Sequence, residues 1–283
     1  MTIEILAADR FTIQELTELY NQTRVDYLVP MPMNADRLNE YVHDFDVDLH
    51  HSCVARDADR QILGLCMLGF RQGVAWITRL GVLPSIRRTG AGSALMDSML
   101  RNADALGAQE IHLEVIKNNE PAYNLFLKTG FVETGTYLVM RHAPRRLLDS
   151  LQGTATWLDY DQALEKLKTY PGHITWINAF ESMRNSARTE GLHVELPDGG
   201  SGWLVYRNTK FTLRSTLSHL IMHTEQGDPQ AVGAHLLSHL HAHFPQHDTY
   251  AENIHEDEPH LPAFHAQCYF TNFSRIEMRR LQK

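Results

Sequence analysis

A glycine-rich segment between a strand and an amphipathic helix constrains this chain more than any other feature. The pattern Arg-x-x-Gly-x-Gly starts at Arg87, has Gly90 and Gly92 as its glycines, and follows a strand that ends near Val82. Glycine lets the backbone take φ > 0 and approach a ligand closely. The free N–H groups and the dipole at the start of the next helix favour a diphosphate. The order of these elements therefore predicts a phosphate-binding loop rather than a simple tight turn.

A second segment, further along the chain, adds to this interpretation. It reads Leu113-x-Val115, then Asn119-x-x-Ala122-x-x-Leu125-Phe126, and then Gly130-Phe131. With both segments, roughly residues 1 to 142 resemble the GNAT superfamily of N-acetyltransferases. The order of strands and helices around them is mixed, so the fold class is predicted as α+β.

The resemblance implies a specific architecture and chemistry. It implies a mixed, mostly antiparallel sheet that is flanked by helices and splays after the strand ending near Val82. The pantetheine of acetyl-CoA then lies in the gap and pairs with the exposed backbone of that strand. It also implies that an amine attacks the thioester directly, without a covalent enzyme intermediate. The cofactor-binding residues that it implies are Leu80, Gly81, Val82, Leu83, Arg87, Arg88, Thr89, Gly90, Ala91, Gly92, Ser93, Asn119, Tyr123 and Phe126.

The chain departs from the family at the residue that protonates the departing thiolate. Many family members have a tyrosine at the position of Phe126, and phenylalanine cannot donate a proton. Tyr123, three residues earlier, and Tyr137, on the next strand, are the alternative acids. Water is a third, because a thiol leaves readily near neutral pH.

The general base and the acceptor site are less constrained. Glu114 and His112 alternate with apolar residues and share one strand face, either at the acceptor or in solvent, and Glu114 is the preferred base. For the acceptor, aspartates beside aromatic rings suit a cationic amine. The predicted substrate residues are Asp26, Tyr27 and Tyr41; the alternative is that they and Asp44, Asp46 and Asp48 form a solvated acidic loop.

The second half resembles a decayed copy of the first. A shift of 138 places Glu120-Pro121 on Glu258-Pro259, and a shift of 141 places Gly92 on Gly233. The second shift puts Asp228 where Arg87 stands, and a carboxylate there opposes a diphosphate. The predicted organisation is a catalytic domain over residues 1–142, a linker over 143–155, and a degenerate GNAT-like domain over 156–283 that is structural and forms part of the acceptor cleft.

Composition limits the partners and the compartment. The net charge of -8 argues against nucleic acid as a partner. The sequence has no apolar run of about 18 residues, the length that a membrane-spanning helix needs, so no membrane span is predicted. Three cysteines without a CxxC spacing favour a reduced, cytoplasmic setting. The histidines His235, His239 and His243 recur at helical spacing. Such a row can bind zinc or can form a solvated helix face, and no metal is predicted.

The leading functional prediction is an acetyl-CoA-dependent N-acetyltransferase that acts on a primary amine of a small molecule, as a monomer or a homodimer. A protein or peptide acceptor is one alternative within the same chemistry. An acyl-CoA-binding sensor or pseudoenzyme is an alternative from another class, and Phe126 is the residue that supports it.

Overall fold

Short-range signals in the sequence set the ends of the helices. The first helix, α1 (Ile13–Gln22), begins where the Thr12 hydroxyl accepts from the Glu15 N–H and the Glu15 carboxylate accepts from the Thr12 N–H. Leu16 and Tyr20 lie on its buried face at helical spacing. The helix therefore has a defined start and one face that packs on the sheet.

The computed structural model describes residues 2–144, 151–210 and 215–282. The elements up to the glycine-rich segment and its helix are β1 (Ile3–Ala7), α1, α2 (Ala35–Asp44), β2 (Cys53–Asp57), β3 (Ile62–Arg71), β4 (Val74–Val82) and α3 (Ala91–Ala105). They are followed by β5 (Glu110–Ile116), α4 (Glu120–Lys128) and β6 (Val132–His142). No helix within the described residues is long and apolar enough to cross a lipid bilayer.

The later part of the chain repeats the same kinds of element. They are β7 (Thr154–Leu158), α5 (Tyr160–Lys168), α6 (Phe180–Asn185), β8 (Thr189–Glu195), β9 (Ser201–Thr209), β10 (Thr216–Gln226), α7 (Pro229–His243), β11 (Asp248–His255), α8 (Leu261–Ala266) and β12 (Phe270–Leu281).

Two compact units result, and their division differs from the predicted domain boundaries. The first unit is Met1–Gly135 with Ile276–Lys283, and the second is Thr136–Arg275. The closing residues of β12 belong to the first unit because Met278 is buried in its core and Arg279 forms an ion pair with Glu110 at 3.3 Å. Residues 145–150 of the predicted linker lie outside the described part of the chain.

The sheet of the first unit is mixed, and the α+β prediction is confirmed. Strands β1, β2, β3 and β4 pair antiparallel in sequence order, and β5 pairs parallel with β4 after the α3 crossover. Leu95, Met99 and Ala103 on α3 are fully buried in the core beneath it. In the second unit, β7 to β10 pair antiparallel in the same way and β11 is parallel to β10.

The repeat is visible in the helices that follow the fourth strand of each unit. Helix α7 starts and ends 138 residues after α3, so both helices have 15 residues. The shift of 141 inferred for this loop is therefore wrong, because it places Asp228 on Arg87. The residue before α3 is Gly90 and the residue before α7 is Asp228, so these two N-cap residues correspond.

Candidate functional site

A gap opens between β4 and β5 in the middle of the first unit's sheet. The parallel pairing runs from Val74 opposite Glu110 to Ile77 opposite Leu113 and stops there. The register between β3 and β4 shifts just beyond this point, where Arg79 takes φ of +55°. A β-bulge turns a strand away from its neighbour. The sheet therefore splays, as the resemblance implied, but from Ile77 rather than from the end of β4.

The strand residues predicted to hold the cofactor line this gap on the β4 side. Gly81 is required there, because a Cβ atom would lie 2.3 Å from the Thr23 hydroxyl at the end of α1. Leu80 and Val82 are half-buried and pack on the core, and the Leu83 N–H donates to the Leu63 carbonyl at 2.9 Å. Glycine at position 81 thus lets the end of α1 come close to β4.

Beyond β4, the glycine-rich segment forms an open helix end. Gly90 is the N-cap of α3 with φ of +96°, no side chain caps the helix, and a Cβ at Gly90 would meet nothing within 4 Å. Arg88 also takes a positive φ, of +69°, and the Thr89 hydroxyl donates to the Ile86 carbonyl at 2.8 Å. The first turn, which includes Ala91, Gly92 and Ser93, therefore has no side-chain cap, and the N–H groups of such a helix end suit an anion.

Gly92 differs from the expectation for this loop. It lies inside α3 and does not take a positive φ. A Cβ there would make ordinary contacts, 3.5 Å from Leu125 and 3.7 Å from Val82. The fold alone therefore does not require glycine at this position.

Arg87 and Asp26, which were assigned to the cofactor and to the acceptor, contact each other. Both guanidinium nitrogens of Arg87 donate to the two Asp26 oxygens at 2.7 Å, and the pair is partly exposed. The hydrogen bond with Arg87 lowers the pKa of Asp26. Arg87 also donates to the Thr23 carbonyl at 3.3 Å. The pair joins the glycine-rich segment to the segment that follows α1.

A second link joins the same segment to α4. Asn119 is the N-cap of α4, and its Nδ2 donates to the Tyr27 hydroxyl at 3.2 Å. The Arg24 guanidinium lies 4.1 Å from the centre of the Tyr27 ring and donates to the Leu80 carbonyl at 3.3 Å. Predicted cofactor and acceptor residues therefore meet at one place.

Arginine guanidinium groups lie over the aromatic rings that were expected to bind an amine. The Arg79 guanidinium lies 4.1 Å over the Tyr41 ring and 5.3 Å from the Tyr20 ring, just as Arg24 covers Tyr27. Burial raises the pKa of Tyr41, whose hydroxyl is 2.6 Å from the Thr78 hydroxyl. In this structure arginines of the chain itself therefore cover these rings, and the binding of an amine by Tyr27 and Tyr41 stays a prediction.

Arg79 is a residue that the sequence reasoning missed. The one available sign is a lone arginine within the otherwise uncharged strand β4, whose sequence is VAWITRLGV. The acidic residues of the same region serve the fold: Asp46 forms an ion pair with Arg71 at 2.7 Å and Asp48 bonds to His51 at 2.6 Å. These contacts favour the plain alternative for the acidic residues.

Glu114 lies at the base of the gap. It follows Leu113, the last residue of β5 that pairs with β4, and is half-buried. His112 is in the paired part of the strand, 3.2 Å from Glu110, and burial lowers its pKa. The structure thus separates the two candidates for the base, and only Glu114 adjoins the opening.

The three aromatic candidates near the thiolate lie in different surroundings. Phe126 is 5% exposed and packs in the core, 6.2 Å from the Phe131 ring, so the structure does not support its predicted contact with the cofactor. Tyr123 donates a short hydrogen bond to Glu133, which raises the pKa of Tyr123. Tyr137 belongs to the second unit, where its buried ring lies 5.1 Å from His255.

The corresponding helix end in the second unit is closed. The Asp228 carboxylate accepts from the Ala231 N–H at 2.8 Å and so occupies the start of α7. On the same helix, His239 bonds to the Gln152 carbonyl at 3.0 Å and His243 lies 4.2 Å from the Trp157 ring. No group of three metal-ligating side chains comes together among the residues that the structure describes.

Sequence comparisons place the matched region in one family. A profile of the Acetyltransferase (GNAT) family matches residues 13–131. An N-alpha-acetyltransferase of Sulfurisphaera tokodaii is 40% identical over 67 residues, which are 23% of this chain and 38% of that protein. An uncharacterized N-acetyltransferase of Mycobacterium tuberculosis is 32% identical over 106 residues, which are 37% of this chain and 65% of that protein. The chain thus spans less than two thirds of the length of these relatives.

The fold comparison extends over both units. A solved tandem GNAT protein from the clavulanic acid biosynthesis pathway matches with a TM-score of 0.68 and 14% identity, over 99% of this chain and 98% of that one. At this identity the likeness concerns the fold. Residues 13–131 therefore carry a GNAT acetyltransferase domain, and the chain as a whole has the fold of a tandem GNAT protein with two GNAT-like units.

Proposed function

We propose that the first unit binds acetyl-CoA at the start of α3 and transfers the acetyl group to a primary amine of a small molecule. The observation that carries the proposal is the open N-terminus of α3, where Gly90 has φ of +96° and supplies no side chain. The segment from β4 leads into this helix end through the short turn Pro84–Ile86. The gap beside β4 and the anion site are therefore neighbours along the chain.

The chain's own groups fit the parts of this ligand. N–H groups at residues 88 to 93 and the α3 dipole bind the diphosphate. The edge of β4 that has left β5 offers backbone donors and acceptors, over Leu80 to Leu83, to an extended pantetheine arm. Acetyl-CoA, when bound, supplies a thioester whose carbonyl carbon is open to attack by the amine.

Glu114 is the proposed general base. Its carboxylate takes a proton from the amine nitrogen as that nitrogen bonds to the carbonyl carbon, and the carbon–sulfur bond breaks. The position of Glu114 at the base of the gap supports this role.

The departing thiolate needs little protonation from the chain, because a thiol pKa of about 8.5 makes it a good leaving group. The hydrogen bond to Glu133 raises the pKa of the Tyr123 hydroxyl, which makes this hydroxyl a weaker acid. That same bond engages the Tyr123 hydroxyl away from a thiolate. Water therefore ranks above Tyr123 as the proton source, and Tyr137 stays a candidate.

A second candidate function is an acyl-CoA-binding sensor. The observation that favours it is Phe126, which is packed in the core where many relatives carry the acid. A peptide acceptor is a variant of the leading proposal, and the name of the Sulfurisphaera tokodaii relative, N-alpha-acetyltransferase, gives it some support. The second unit does not bind coenzyme A in either case, because Asp228 closes its helix end.

The test is release of free thiol from acetyl-CoA in the presence of polyamines, amino acids, aminoglycosides and peptides. Turnover that depends on one class of amine identifies the acceptor. Binding of acetyl-CoA without turnover above hydrolysis in buffer favours the sensor, and absence of binding contradicts both proposals. Arg87→Glu serves as the control, since it places a carboxylate beside the proposed diphosphate site and abolishes binding if the site is assigned correctly.

A further inference from the structure

The acidic side chains near the first unit's gap already have partners within the chain. Asp26 forms an ion pair with Arg87 at 2.7 Å, and Asp46 forms one with Arg71 at 2.7 Å. A carboxylate that is neutralised in this way attracts a second cation only weakly. These aspartates therefore do not select a polycationic acceptor.

Arg24, on the segment that follows α1, is in the opposite situation. It is half-buried, and no carboxylate of the described residues lies within ion-pair distance of it. Its Nη2 donates to the Leu80 carbonyl at 3.3 Å, and its Nε is buried. Its Nη1 makes no hydrogen bond with the described residues and is not buried, so it is accessible to a ligand. A guanidinium group in this state suits a carboxylate.

The contacts of Arg24 place it at the gap. Leu80, whose carbonyl it binds, belongs to β4 on one edge. The ring of Tyr27, 4.1 Å from the guanidinium carbon, carries the hydroxyl that accepts from Asn119 at 3.2 Å. Asn119 follows β5, which forms the other edge. Arg24 and the ring that it covers therefore contact residues from both edges of the gap.

A second guanidinium group lies against the same aromatic cluster. Arg24 is 5.0 Å and Arg79 is 5.3 Å from the centre of the Tyr20 ring. Like charges around one ring repel each other, and an anion beside them relieves that repulsion. Burial raises the pKa of Tyr41, and the charges of Arg79 and Glu114 also act on this pKa. The proposed base is therefore close to the same cluster.

The anion that suits Arg24 does not come from acetyl-CoA. The negative charges of that molecule are on its phosphates, and its diphosphate is assigned above to the start of α3 at residues 88 to 93. The pantetheine arm, which is assigned to the edge of β4 over Leu80 to Leu83, is uncharged. An anion beside Leu80 therefore belongs to the acceptor.

We propose that the acceptor is an amino acid, an amine whose own carboxylate binds Arg24. This inference rests on the proposed acetyl transfer and names its substrate class. Arg24 Nη1 donates to the carboxylate, and the charge of Arg79 favours the same anion. The amino nitrogen bonds to the thioester carbonyl carbon, Glu114 takes the proton from that nitrogen, and the carbon–sulfur bond breaks. The products are an N-acetyl amino acid and the thiolate of coenzyme A, which water protonates.

The test compares glycine, leucine, phenylalanine, glutamine and lysine, each with its own primary amide, by thiol release from saturating acetyl-CoA. An amide keeps the amine and the side chain and loses only the negative charge. Its amine is less basic, so without recognition of the carboxylate the amide is the better acceptor near neutral pH. For the amino acid with the fastest turnover, kcat/KM should exceed that of its amide by about tenfold or more, the usual value of a charge-assisted hydrogen bond.

Arg24→Gln tests the residue itself. It should lower kcat/KM for that amino acid by about tenfold or more, mainly through KM, and leave kcat/KM for the amide unaltered. Arg101→Gln, at an exposed position on α3, is the matched control and should alter neither value. The ratio of acid to amide is the decisive quantity, because a general loss of structure lowers both values together and leaves the ratio as it was.

Three outcomes overturn the proposal while acetyl transfer to an amine stands. These are turnover of the amides as fast as of the amino acids, turnover of polyamines or peptides only, and equal losses for acid and amide in Arg24→Gln. Absence of turnover with every amine contradicts the proposed function itself, and this inference with it. The two failures are therefore distinguishable.

Discussion

The starts of α3 and α7 are corresponding places in the two units, and they differ in how the helix is capped. Gly90 leaves the first turn of α3 without a side-chain cap, whereas the Asp228 carboxylate accepts a hydrogen bond from the first turn of α7. Both helices have 15 residues and pack on the sheet of their own unit. One N-cap residue therefore distinguishes the uncapped helix end, where we propose that a diphosphate binds, from the end capped by a carboxylate.

The comparison teaches which parts of the fold are independent of ligand binding. The bulge and the splay remain in the second unit, where Arg79 and His219 have the same φ of +55°. The bulge and the splay follow from the register between neighbouring strands and from the packing of buried side chains. Neither of these depends on a bound ligand. The proposed anion site depends instead on a few N–H groups at the start of α3, and at the start of α7 the Asp228 carboxylate accepts from one such group.

The largest effect is expected at the base of the two gaps. Glu114 has a counterpart in Glu252, 138 residues later on β11, which forms an ion pair with Arg275 at 3.0 Å. Glu114→Gln should lower kcat by about a hundredfold, the lower end of what a general base contributes, with KM for acetyl-CoA little changed. Glu252→Gln is the matched control and should leave kcat as it was. Equal losses in both variants would contradict the assignment of the base to the first gap.

The next effect tests the N-cap itself by giving α3 the residue of α7. Gly90→Asp has room for its side chain, since a Cβ meets nothing within 4 Å, and it places a carboxylate beside the proposed diphosphate site. Acetyl-CoA binding should weaken by about thirtyfold or more from charge repulsion at this partly exposed place. Calorimetric titration measures the change.

Gly90→Asn is the matched control for that variant, because asparagine has the same shape and tolerates positive φ. It should weaken binding less than about tenfold, since only cap competition and backbone strain remain. If both variants bind acetyl-CoA equally poorly, shape rather than charge distinguishes the two helix ends.

The sequence was sufficient for the features that rest on local order. The positive φ of Gly90 before α3 and the α+β class follow from turn chemistry and from the period of apolar residues, and both are confirmed. The second GNAT-like copy was inferred from residue matches at a nearly constant shift, and its fold is confirmed. The path of the last residues was not predictable in this way. Met278 is buried in the first unit's core although it lies 136 residues beyond His142, because strand pairing joins residues regardless of separation.

Side-chain partners were the least predictable part of the site. Asp26, Tyr27 and Tyr41 have the composition of an amine site, and their arginine partners lie far along the chain or one turn away. A charge pattern in sequence does not reveal whether an aspartate faces a ligand or an arginine of the same chain. The single arginine in β4 was informative only once the bulge at Arg79 was visible.

The smallest effect concerns the ion pair between Arg87 and Asp26, which joins the proposed anion site to the segment after α1. Asp26→Asn releases Arg87 and removes a negative charge near the diphosphate, so acetyl-CoA affinity should rise by about twofold to fivefold, as befits an exposed pair. Glu4→Gln breaks a similar two-bond pair with Arg56 and should have no effect. Weaker binding by Asp26→Asn would mean that Arg87 acts by holding the segment rather than by contacting the phosphates. Because salt screens exposed charges, the gain should diminish as ionic strength rises, and a gain independent of salt would contradict the electrostatic cause.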